Sequence, residues 1–137
     1  MSPPRHPTRI PRYLGHMQLA IQRIQGYCAN APTLDAFREA AVVQDAVIRN
    51  LEILGEAANR VRRADPDFES RHPQIPWAAV AGMRNRLIHE YFEVDLEVVW
   101  QTVRHELPTF SKVLADLVDE LEQRGDDASP QSTQQDA

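Results

Sequence analysis

Cysteine occurs once, at Cys28. That excludes an intramolecular disulfide and any zinc site built on several thiolates. A lone thiol also fits a reducing compartment, so a cytoplasmic location is expected. Lysine occurs once as well, at Lys112, and the other basic residues are arginines. No run of about 18 apolar residues is present, so no membrane-spanning helix is expected. The first residues, Met1 to Pro11, hold proline and arginine without an apolar core, unlike a secretory signal. There is no glycine-rich phosphate loop, no nucleophile elbow and no pair of histidines four apart. No metal and no cofactor are therefore expected. No segment alternates apolar and polar residues with turn signals on both sides, which argues against a sheet.

What remains is a helical protein. The chain has 137 residues, of which 42% are apolar, enough for one domain with one core. Its net charge of -5 argues against a protein that coats nucleic acid through many lysines and arginines. A small local site stays compatible with that charge. Residues 1–8 hold Pro3, Pro4 and Pro7 and read as a mobile arm. Residues 124–137 are polar and read as a disordered tail. The segment 9–123 between them is the expected helical domain.

Within it, Ile10, Leu14, Met17, Ile21, Ile24 and Cys28 recur at helical spacing and predict a first helix over 9–29. Thr33 is placed to cap a second, long helix over 34–64, with Val43, Val47, Leu51, Leu54, Ala58 and Val61 on one face. Asp65-Pro66 stops it, and a polar connector with Pro73 and Pro76 follows. A third helix runs from Pro76 to about Tyr91. A fourth starts near Asp95, with a kink or break expected at Pro108, which lacks a backbone donor. The expected fold is all-α, an antiparallel bundle of four to five helices.

The third helix carries the chemistry. Arg84-Asn85-Arg86-Leu87-Ile88-His89-Glu90-Tyr91 gathers a fixed cation, an amide, an imidazole and a phenol. Imidazole titrates near neutrality, and guanidinium is a forked donor suited to phosphate. These groups suffice to cut RNA without a metal. Trp77, Val80, Ala81, Arg84, Ile88 and Tyr91 fall on one stripe. Gly82, Asn85, Arg86 and His89 fall on the next, with Gly82 the expected point of close backbone approach. Arg84 and His89 are five residues apart, about 140° around a regular helix. They converge only if the helix bends or if two chains share the site across a two-fold axis. The second arrangement is preferred.

These residues resemble the HEPN superfamily and, within it, the HepT-like toxins. The resemblance rests on Arg84-x-x-x-x-His89-x-Tyr91, with Pro76-Trp77, Ala81-Gly82-Met83 and Val94-Asp95-Leu96 around it. Gln44 to Leu51 and Leu54-Gly55-Glu56-Ala57 in the long helix also match. The resemblance covers about residues 9–121. It implies a homodimer with a composite cleft and metal-independent endoribonuclease activity, the toxin half of a type VII-like HepT/MNT toxin–antitoxin pair. It implies Arg84, Asn85 and His89 as catalytic residues, with Arg86 and Glu56 supporting. It further implies Tyr91 as the residue to which an MNT-type nucleotidyltransferase antitoxin attaches AMP. Glu90 and Glu93 depart from the family pattern and place negative charge beside His89, where it repels RNA phosphates.

Other readings of the same residues stand beside this one. Arg84 could pair only with a carboxylate such as Glu52 or Glu56, and His89 could be a surface residue. Arg60, Arg62, Arg63 and Arg71 could guide RNA or simply complement a helix C-terminus. The alternative function is a non-catalytic module that binds a nucleotide or docks, and is modified by, a nucleotidyltransferase.

Overall fold

The computed structural model describes residues 9–136 apart from residue 91, with side chains as far as residue 125. The described residues form helices α1 (Ile10–Cys28), α2 (Leu34–Glu39), α3 (Ala41–Ala64), α4 (Pro66–Arg71), α5 (Trp77–His89), α6 (Leu96–Gln101) and α7 (Leu107–Asp136), with no strand among them. A π-helical segment, Thr102–Glu106, joins α6 to α7. The all-α antiparallel bundle expected from periodicity, HEPN-like by the resemblance, is what forms.

Helix α3 lies at the centre and packs most extensively on α1 and α5. All six stripe residues of α1 are buried, and they meet Val47, Leu51, Leu54, Ala58 and Val61 of α3. Leu114 and Leu117 of α7 complete the core. Each fully buried leucine or isoleucine contributes about 1.5–3 kcal/mol, which is what holds these short helices together.

Three local features differ from the sequence expectation. The long second helix is broken at Ala40 into α2 and α3, with Ala40 at φ -105°, ψ 77°. The Gln44 side-chain amide donates to the carbonyls of Phe37 (2.8 Å) and Arg38 (3.0 Å), satisfying acceptors at the end of α2. The bend lets Phe37 bury completely. The polar connector contains α4, capped by the Asp65 carboxylate, which accepts from Asp67 N–H. The disturbance near Pro108 takes the form of the π segment, where Leu107 N–H donates to the carbonyl of Thr102. Widening the turn before the proline relieves its clash with the helix ladder.

The backbone of α7 is helical through Asp136, whereas composition pointed to a structureless tail from residue 124. Extending an existing helix adds one hydrogen bond per residue without a new nucleus. The expected arm, residues 1–8, lies outside the described residues.

Candidate active site

Helix α5 is anchored at its start. Trp77 is buried, its indole N–H donates to the His72 carbonyl at 2.9 Å, and its ring meets Phe68 edge-on at 5.8 Å. Val80, Ala81 and Leu87 then fix the helix against the core. The closest approach to α3 occurs at Gly55. A Cβ there would lie 2.5 Å from the Arg84 Cβ and 2.9 Å from the Val80 carbonyl oxygen. The glycine expected to serve this purpose was Gly82, but a Cβ at Gly82 would meet nothing within 4 Å. Helix α5 turns its Arg84 side toward α3, and Gly82 looks elsewhere.

Gly55 thus sets the position from which the Arg84 side chain departs. The guanidinium donates from Nη1 to Asn85 Oδ1 at 3.0 Å. Its Nη2 stands 3.8 Å from Glu56 Oε2, and the other Glu56 oxygen is 3.4 Å from Arg63 Nη2. A separation of 3.8 Å exceeds hydrogen-bond length, and the Arg84 side chain is 31% exposed. Such a pair contributes at most about 1 kcal/mol. Glu56 therefore holds Arg84 loosely, and most of the five guanidinium donors remain available. Glu52 makes no ion pair among the described residues.

The other described residues of the motif are spread around α5. Asn85 accepts from Arg84, and no hydrogen bond joins it to His89 among the described residues. His89 is the exposed last residue of α5. Arg86 and Glu90 face α6, where they line a cavity of about 170 Å³ with Met83, Val94 and Val98. Arg86 is thus turned away from Arg84. Tyr91 lies outside the described residues.

Arg84 and Ile88 open into a cleft of about 540 Å³ between α1, α3 and α5. The start of α1 contributes Arg9, Arg12, Tyr13 and His16, and α3 contributes Arg49, Glu52, Glu56 and Arg60. His89 is not part of its lining. Five arginines face two glutamates here, on a chain whose net charge is -5. The α1 residues and Arg49 were not legible as site residues. Their only sequence signal is that they flank the apolar stripes of their helices at spacings of three and four.

The arginine cluster at the end of α3 is divided by the fold. Arg62 pairs with Glu69 at 2.8 Å, Arg63 with Glu56 at 3.4 Å and Arg71 with Asp65 at 2.8 Å, leaving Arg60 to the cleft. Burial pushes the Cys28 thiol above its ordinary value, opposed by Arg104, so this thiol stays protonated and unreactive. Among the described residues no three of His, Cys, Asp and Glu are grouped to hold a metal ion.

Residues 17–117 match the family described as ribonuclease HepT-like. A candidate RNase of Caldanaerobacter subterraneus subsp. tengcongensis is 34% identical over 115 residues, covering 80% of this chain and 96% of that protein. A candidate RNase of Methanocaldococcus jannaschii is 37% identical over 93 residues, covering 68% of this chain and 74% of its own. The "Probable ribonuclease HepT" of Thermococcus cleftensis is 50% identical over 66 residues, covering 48% and 57%. No solved structure matches significantly. With the family's span taking in most of the bundle core, the Gly55 contact and the whole Arg84–His89 segment, the chain belongs to the HepT-like ribonuclease family.

Proposed function

We propose that the chain is a metal-independent endoribonuclease whose functional unit is the helical domain 9–123. One observation carries the reading: Arg84, fixed at the α3–α5 contact, presents a loosely held guanidinium to an arginine-lined cleft. In this mechanism the RNA 2′-hydroxyl attacks the adjacent phosphorus and gives its proton to a His89 imidazole. The bond from phosphorus to the 5′-oxygen breaks, and that oxygen takes the proton back from the same imidazolium. Arg84 stabilises the charge that builds on the phosphorane oxygens. Asn85 steers the guanidinium and offers its amide N–H to phosphate. Arg84 and His89 leave α5 in different directions, so a symmetric homodimer is the arrangement that brings one chain's guanidinium to its partner's imidazole. Arg86, on the α6 side, supports the second surface of that helix.

The biological setting that fits is a cytoplasmic toxin, silenced by an MNT-type nucleotidyltransferase that attaches AMP to Tyr91. Glu90 and Glu93 moderate the affinity for RNA at this end of α5. A second reading, a non-catalytic module that binds a nucleotide or a nucleotidyltransferase, is favoured by one observation: His89 and Arg84 share no cleft within one chain.

The test is cleavage of end-labelled RNA by the purified protein with and without EDTA. The expected products end in 2′,3′-cyclic phosphate and 5′-hydroxyl, with the rate unchanged by EDTA. Arg84→Ala and His89→Ala should each lower the rate by about 10²–10³-fold while the fold is kept. Loss of activity in EDTA with 3′-hydroxyl products would sink this chemistry. No cleavage by the wild-type protein would leave the non-catalytic reading, and full activity in both variants would remove Arg84 and His89 from the catalytic machinery.

A further inference from the structure

The cleft extends well beyond Arg84, and four of its five arginines stand outside the ion pair that Arg84 makes with Glu56. Arg9, Arg12, Arg49 and Arg60 make no ion pair among the described residues. Their neighbours along the chain behave differently: Arg62, Arg63 and Arg71 are all paired. Four of the five arginines around the cleft thus lack a carboxylate partner among the described residues, and only Arg84 has one, Glu56 at 3.8 Å. Unpaired guanidinium groups brought together repel one another, and the arrangement suits a polyanion. The acidic chain as a whole makes this local excess of positive charge the more pointed.

The same cleft holds an aromatic pair. Tyr13 is half-buried and meets His16 in a T-shaped contact, with centroids 6.5 Å apart and planes at 62°. That contact occupies at most one face of the tyrosine ring. Ile53 and Ile88 add apolar surface, and Ile88 is 43% exposed. Arginines for phosphates beside an aromatic ring and apolar side chains for bases are the parts of a single-strand groove. A duplex keeps its bases stacked and offers them no such partner.

We propose that the cleft between α1, α3 and α5 holds the single-stranded RNA next to the scissile phosphodiester, with Arg12, Arg49 and Arg60 on phosphates and Tyr13 under a base. This rests on the ribonuclease reading and adds to it a substrate class, a path and the residues that define it. The scissile phosphate sits at Arg84, and the strand continues toward the start of α1.

The experiment uses the full chain with His89→Ala, which binds without turnover, and measures fluorescence anisotropy with a labelled single-stranded RNA and with its duplex. The single strand should bind more tightly. Adding Arg12→Ala or Arg49→Ala should weaken binding several-fold and reduce the slope of log affinity on log salt by roughly 0.7 for each phosphate no longer neutralised. Tyr13→Ala should weaken it by about 5- to 100-fold, while Tyr13→Phe, which keeps the stacking face, should retain binding. Arg71→Ala, off the cleft and paired with Asp65, serves as the control and should change nothing. With His89 restored, the Arg12 and Arg49 variants should raise KM more than they lower kcat.

Unchanged affinity and salt slope in folded Arg12→Ala and Arg49→Ala would overturn the proposal, as would equal binding of duplex. So would a shift in oligomeric state with RNA affinity untouched, which would make the cleft a contact between copies of the chain. Arginine-dependent binding without cleavage by the wild-type chain would retire the ribonuclease reading and keep the groove. Cleavage with unaltered KM in the variants would do the reverse.

Discussion

Position 55 tolerates nothing larger than hydrogen. A methyl group at Gly55 would press on the Arg84 side chain and on the Val80 carbonyl. Neither is the flexible end of a side chain, so the helices must part. Gly55→Ala should therefore cost about 1–3 kcal/mol, visible in chemical denaturation. It should also lower RNA cleavage by displacing Arg84, even at temperatures where the variant is fully folded. Unaltered stability would show that α5 can slide without loss. His72 provides a second test at this scale. Burial pushes its imidazole below the ordinary value of 6.5, with Glu120 opposing and Arg71 and Arg124 reinforcing the shift. The unfolded chain takes up the proton near that ordinary value, and the folded chain does so only at lower pH. Stability that is full above about pH 6.5 is therefore lost as pH falls toward the folded pKa. The bonds at this corner are made by the His72 backbone, and the ring packs on Phe68 at 4.4 Å. His72→Phe keeps an aromatic ring there without a titrating group. A flatter plot of melting temperature between pH 7 and 5 is expected, and an unchanged slope would assign the loss to other groups.

Helices were legible where apolar residues recur at three and four, and illegible where one side chain overrides that rhythm. The α1 stripe is buried residue for residue as its spacing requires. The break at Ala40 has no such signature, because it depends on Gln44 reaching back to carbonyls six and seven residues away. Gln44→Ala should cost about 1 kcal/mol by removing those two bonds, measured as a shift in denaturation midpoint. A variant as stable as the wild type would mean that burial of Phe37 alone holds the bend. Pro108 announced a disturbance, but not its form. Val99, Val103 and Leu107 are all buried at steps of four, and on a regular helix each such step drifts by about 40°. A wider turn between them keeps all three on the core side, so packing as well as proline chemistry selects the π segment. The motif itself was plain in the sequence. Its geometry was not, because a linear string says nothing of the α1 residues that face Arg84.

At the scale of the molecule, one chain presents Arg84 to a cleft and His89 to solvent. The proposed two-fold assembly resolves this and can be checked without a structure of the dimer. Arg84→Ala and His89→Ala chains, each inactive alone, are mixed and allowed to exchange subunits. If the site joins two chains, half of the dimers regain one intact site of two, and cleavage returns to about a quarter of wild type. No recovery after demonstrated exchange would place both groups in a single chain. Charge is also distributed at this scale. The chain is acidic overall, yet Arg9, Arg12, Arg49 and Arg60, without an ion pair among the described residues, gather on the side where α1, α3 and α5 meet.

The meeting of Gly55 with Arg84 links two stretches of chain that a loop and a short helix separate. It makes them a single heritable unit. Among descendants of this domain, a lineage that grows a side chain at the first position should have dropped, shortened or relocated the guanidinium at the second, and the two columns should drift together rather than apart.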